Sequence, residues 1–174
     1  MLSTLKELFD SFLAPLSEPS AGEQESALQL ASAVLLLEVM RAEPSARPIE
    51  RQAVQAALQQ EFALQDEALA QLLRQAEQTV ENAYDFQHFT ASLNAHCTQA
   101  QKEHLVECMW RVAYADAHLD AHENHVISKL AGLLHVTHGA YIAAKMRAKE
   151  AAGLLWPAGH PARNGRTPTV TNAA

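Results

Sequence analysis

Residues 113–134 read AYADAHLDAHENHVISKLAGLL, and this stretch decides the fold. An apolar-periodic run reaching Ala113 stops at a polar turn, and a second run carrying Val126, Ile127, Leu130, Leu133 and Leu134 begins directly after it. Both have the i, i+3, i+4 spacing of a helix with one buried face, so helix, turn, helix is expected. The turn places Asp116, Asp120 and Glu123 at i, i+4 and i+7. Acids crowded at the start of one helix repel each other, and the arrangement makes most sense where a cation or a set of backbone donors compensates them.

The same pattern occurs once before. RAEPSARPIERQAV, residues 41–54, aligns without a gap on YADAHLDAHENHVI, residues 114–127. Glu43 falls on Asp116, Arg47 on Asp120, Glu50 on Glu123 and Val54 on Ile127. The chain reads as a diverged internal duplication. Because the first copy has Arg47 where the second has Asp120, a cation there would meet a positive charge, and the first copy reads as degenerate.

Outward from these turns, punctuation sets the architecture. No glycine lies between Gly22 and Gly132 and no proline between Pro48 and Pro157, while helix formers abound. Ser20 with Glu23 forms a capping box for a helix through Ala42, and Pro48 suits the first turn of a helix to about Glu61. Gln65 or Asp66 opens another to about Asn82, and Asp85 a shorter one with Phe86, Phe89 and Leu93. Thr98 with Gln101 is a second capping box, for a helix turning Leu105, Val106, Met109, Trp110, Val112 and Ala113 to the core. Asp120 opens the next, and Thr137 a last one ending near Glu150. Residues 2–16 align Leu2, Leu5, Leu8, Phe9, Phe12, Leu13 and Leu16 on one stripe. The expectation is an all-α, single-domain bundle of seven or eight helices. An N-terminal amphipathic helix and linker occupy 1–19, the helical domain 20–150, and a tail 151–174, expected to be disordered beyond Trp156.

Composition agrees. The chain has 174 residues, 48% of them hydrophobic, enough to support a core without disulfides or a structural metal. Its net charge of −7 argues against nucleic acid as a partner. Cys97 and Cys108, without CxxC spacing, read as reduced, buried thiols. Glu7 and Asp10 interrupt the first residues where an export signal would be apolar, and Glu38 interrupts SAVLLLEVM, too short to span a bilayer. A cytoplasmic protein is expected. Lys6 is the only base in the N-terminal stripe, so docking on the protein's own domain or on a partner suits it better than a membrane surface, and a homodimer contact is equally compatible.

Two readings of the acidic turn stand side by side. Asp120 and Glu123 form a capping box needing no metal, worth about 1 kcal/mol. That leaves Asp116 at the unfavourable end of the preceding helix dipole, where a ligand role accounts for it. Oxygen ligation by Asp116, Asp120 and Glu123 suits Ca²⁺ or Mg²⁺. The turn is no EF-hand: counted from Asp116, position three is His118, six is Ala121 and twelve is Ile127. His118, His122 and His125 interleave with the acids; His122 and His125 share a helix face at i and i+3, one or two imidazoles with Asp116 or Asp120 would suit Zn²⁺, and His118 and His122 are added candidate ligands. His122-Glu123-Asn124-His125 is HExH, not the HExxH of metalloproteases. Glu43 and Glu50 of the first copy, and Glu38, are further candidate ligands, although Glu38 more simply pairs with Arg111 between the halves. No catalytic residue is assigned, since no GxSxG, P-loop or GxGxxG occurs.

The run A-D-x-x-[IL]-D-x-x-E, here Ala115, Asp116, Leu119, Asp120 and Glu123, followed by a leucine-rich helix and preceded by LVECMWRVAYAD, resembles the TerB family of tellurite-resistance-associated proteins. The resemblance covers roughly residues 28–149. It implies an all-helical domain of the kind found at the end of a membrane-anchored J-protein, with acidic turns that bind metal ions. It also implies a stress-response assembly at the inner face of the bacterial inner membrane, with other proteins as partners. Family members usually carry glycine after the first Asp, where this chain has Ala117 and Pro44. The function expected is a metal-ion-binding interaction module. The alternatives are a metal-dependent enzyme with a histidine-carboxylate site and a metal-free helical scaffold.

Overall fold

The computed structural model describes residues 20–44, 47–83 and 85–154. The stripe at 2–16 and the tail beyond residue 154 lie outside the described residues. Among those described there are seven helices and no strand, as the helix-forming composition requires.

Helix α1, Ala21–Arg41, begins at the expected capping box: Ser20 Oγ accepts from the Glu23 N–H at 3.3 Å and the Ser20 N–H donates to Glu23 Oε2 at 2.8 Å. From Ala31 to Met40 every position except Glu38 is buried. A helix apolar on all sides can only be central. It touches α2 (Pro48–Phe62), α3 (Asp66–Asn82), α4 (Gln87–His96), α5 (Gln99–Ala113) and α6 (Ala121–Leu133). Pro48 is the first residue of α2, and α2 ends at Ala63 in the left-handed conformation. Helix α3 is strongly amphipathic and turns Leu69, Leu72, Leu73, Ala76 and Val80 inward. Helix α4 starts two residues beyond Asp85, whose Oδ1 accepts from the Gln87 N–H at 3.0 Å.

Helix α7, His138–Ala151, is capped by Thr137 and packs along α5. Trp110 of α5 is fully buried there, 5.7 Å from the Tyr114 ring and 5.6 Å from that of Tyr141, with Lys145 Nζ 4.4 Å from its own ring centroid. Glu107, also buried, accepts from Arg111 one turn along α5 and from Arg147 of α7, each at 2.6 Å. The expected Glu38–Arg111 pair is therefore corrected. Arg111 finds its partner at i+4 spacing on its own helix, and half-buried Glu38 lies in the field of Arg41 and Lys129. Burial raises the Glu38 pKa, partly offset by those two cations.

The two copies of the repeat have the same local structure. Each is a helix, a polar turn and a second helix: α1 to α2 in the first, α5 to α6 in the second. Arg47 and Asp120 are the N-cap residues, Glu50 and Glu123 lie three residues on, and Val54 and Ile127 are completely buried. Among the described residues no helix is long and apolar enough to cross a membrane.

Candidate metal centre

The two turns meet, and their acids face one another across the interface between the halves. Glu43 and Glu50 from the first copy and Asp116 from the second each place a carboxylate oxygen within 4.8 Å of the other two. Glu123 lies beside them, close enough for the charges of Glu50, Glu43 and Asp116 to act on it. Glu50 and Glu123 are fully buried and the Asp116 side chain is 3% exposed.

Capping fixes the two buried glutamates. The Arg47 N–H donates to Glu50 Oε2 at 2.8 Å, and the Asp120 N–H donates to Glu123 Oε2 at 3.0 Å. Asp120 completes its capping box by accepting from the His122 N–H at 2.6 Å. Arginine has no side-chain acceptor, so α2 has only the returning half of such a box. Each glutamate thus spends one oxygen on its helix start. The other, Oε1 in both, is buried without a hydrogen-bond partner. Asp116 Oδ1 accepts from the His118 N–H at 2.8 Å, which bends the turn, and its Oδ2 is 3.1 Å from Arg47 Nη1.

Electrostatics follow from this crowding. Burial, then the charges of Asp116 and Glu43, push Glu50 upward against the Arg47 N–H bond and charge. Burial, then Glu50, Glu43 and Asp116, push Glu123 up to about 7 against its bond from Asp120. Glu107 shows the opposite case: burial raises it, but hydrogen bonds from Arg147 and Arg111 outweigh burial and hold it below the usual range. Cations around a buried carboxylate favour its charged form, and neighbouring carboxylates disfavour it. An all-oxygen group of this kind, with two buried oxygens lacking partners, fits a hard divalent cation.

The sequence-derived candidates divide accordingly. Asp116 belongs to the carboxylate group and Glu123 adjoins it. Asp120 is turned to capping and stands outside the group. His118, His122 and His125 are exposed, and Glu38 is no member of the group. Glu43 and Glu50, the further candidates from the copy that reads as degenerate, supply two of its three members. Arg47, the residue that makes that copy read as degenerate, instead reaches across to Asp116. The gap-free pairing of Glu43 with Asp116 and Glu50 with Glu123 was the available signal.

A second cluster has the composition of a nucleophile site without its geometry. Cys108 Sγ is 3.7 Å from His104 Nε2, and Glu61 Oε2 is 3.0 Å from the same nitrogen. A relay needs the acid on the opposite ring nitrogen, and burial, then Glu61, push the Cys108 thiol up to about 11. Cys97 and Cys108 are free thiols; Cys108 is buried as expected, while Cys97 is only partly so.

Fold and site together define an all-helical, duplicated domain with acidic turns. The family model described as tellurite resistance protein TerB matches residues 29–146, and the chain belongs to that family. No curated protein and no solved structure matched the chain.

Proposed function

We propose that this protein is a metal-ion-binding interaction module of a stress-response assembly of the tellurite-resistance type. A divalent cation taken up by Glu43, Glu50 and Asp116, with Glu123 beside them, ties the α1–α2 turn to the α5–α6 turn. Cation occupancy then sets the surface that the joined turns present to partner proteins. The observation that carries this reading is the convergence of carboxylates from both repeats, two of them fully buried with an oxygen lacking a partner. Oxygen-only donors favour Ca²⁺ or Mg²⁺ over Zn²⁺. Family membership supports the stress-response context. Partners among membrane-associated proteins, a place at the inner face of the inner membrane and a homodimer contact belong to the same proposal.

Calorimetric titration of chelator-treated protein with Ca²⁺, Mg²⁺, Mn²⁺ and Zn²⁺ tests it. Saturable binding abolished in Asp116→Ala and in Glu50→Gln supports the site. Absence of binding by every ion would leave a helical scaffold held by capping boxes.

A further inference from the structure

We propose that Arg47 is the resident counter-ion of the carboxylate cluster, and that it competes with a divalent cation for Asp116. The inference rests on the cation-binding reading above and adds a residue that sets its affinity. Arg47 stands where the second repeat has Asp120, at the N-cap of the second helix of its copy. An N-cap ordinarily supplies an acceptor to the first turn, and its loss costs roughly 1 kcal/mol. Helix α2 goes without one, so a local rule is broken with no local gain. The gain lies in the other repeat: Arg47 Nη1 is 3.1 Å from Asp116 Oδ2.

The exposures of the two partners differ in a way that suits exchange. Arg47 is 53% exposed along its side chain while that of Asp116 is 3% exposed. The guanidinium reaches the cluster from the solvent side and can leave it without unpacking the core, whereas the carboxylate cannot move away. Asp116 belongs to the three-carboxylate group, and its Oδ1 is already engaged by the His118 N–H. Oδ2, the oxygen that Arg47 contacts, is therefore the readier ligand atom for a cation. Because Arg47 and the cation compete for one carboxylate, weakening the Arg47–Asp116 pair strengthens cation binding, by at most the factor that the pair loses. Cation uptake would also free Arg47 to the surface of the joined turns, coupling occupancy to a change of surface charge.

The test compares native protein with Arg47→Ser, which removes the charge and supplies an N-cap acceptor, and with Arg47→Lys, which keeps the charge. Each is confirmed folded by circular dichroism and titrated with Ca²⁺, Mg²⁺ and Mn²⁺ in a calorimeter. The expected result is about tenfold tighter binding by Arg47→Ser, the size appropriate to a partly solvent-screened ion pair, with Arg47→Lys within about threefold of native. Tightening in both variants would point to loop rearrangement and overturn the competition. Native binding with no gain in Arg47→Ser also overturns it and leaves the cation site standing. Silence in all proteins removes both proposals. Binding by Arg47→Ser alone supports the counter-ion role and overturns cation binding by the native cluster.

Discussion

Glu50 and Glu123 hold equivalent places in the two repeats: each lies three residues into its helix, accepts from its N-cap N–H, is fully buried, and leaves Oε1 without a hydrogen bond. Capping orients both side chains toward the same interior point, where Glu43 and Asp116 also arrive. A motif that stabilises a helix start when taken singly becomes an acidic cluster when two copies meet.

The stability of chelator-treated protein should fall with rising pH. The Glu123 carboxyl titrates near 7 in the folded protein against 4.5 ordinarily, so the folded state retains a proton that the unfolded chain releases. That contribution is fully present below 4.5 and disappears as pH rises through about 7. Urea unfolding at pH 5.5 and pH 8 should show a loss of roughly 1–3 kcal/mol. Glu123→Gln, neutral at both pH values, should flatten the difference; a slope unchanged in that variant would remove Glu123 as its source.

At pH 8 a bound cation should reverse this loss. A ligand held only by the folded state at a hundred times its Kd stabilises by about 2.7 kcal/mol. A rise in unfolding midpoint with Ca²⁺ or Mg²⁺, absent in Asp116→Ala, is the expected reading.

Ala117 has φ 62°, the left-handed region, and its N–H donates to Tyr114 O at 3.0 Å to close the turn. This is the position after the first Asp, where the family usually has glycine. Left-handed backbone costs alanine about 1–2 kcal/mol, against a glycine entropy cost of roughly 0.5–1 kcal/mol. Ala117→Gly should stabilise the protein by about 0.5–1 kcal/mol in denaturant melts, and a destabilisation would contradict the turn geometry.

Glu107 should act in the opposite pH direction to Glu123. Its carboxyl sits below 4.5 through Arg147 and Arg111 despite burial, so its contribution is present above 4.5 and is lost on acidification through its lowered folded value. Glu107→Gln should cost about 1–2 kcal/mol at pH 7, and much less at pH 3. Equal costs at both pH values would assign Glu107 to packing alone.

Trp110 fills the contact between α5 and α7, fully buried against Tyr114 and Tyr141. Trp110→Ala should destabilise by about 3–5 kcal/mol. Its Nε1 is buried without a hydrogen-bond partner, so Trp110→Phe should cost considerably less than the alanine change. Thermal melts of the two variants give the comparison.

Much of the architecture was legible because it is local. Ser20 with Glu23, Thr98 with Gln101, and Asp120 with Glu123 are capping boxes in the sequence and in space, since both partners lie within one turn. Pro48 starts α2 and Thr137 caps α7 for the same reason. The Glu38–Arg111 expectation failed where two long-range partners were chosen from corresponding places in the repeat. Arg111 instead bonds Glu107 at i+4 spacing, an option the helix offers at no topological cost.

Over the described residues, the sequence alone determined an all-helical, duplicated architecture, the approximate limits of its helices and the presence of acids at both turns, because periodicity and capping depend on neighbours along the chain. Tertiary structure alone decided that Glu43, Glu50 and Asp116 form one group, that Asp120 is left to its cap, and that Arg47 reaches Asp116. Those relationships depend on how α1–α2 packs against α5–α6. Burial there removes solvent screening from four carboxylates that would scarcely interact on separate exposed turns.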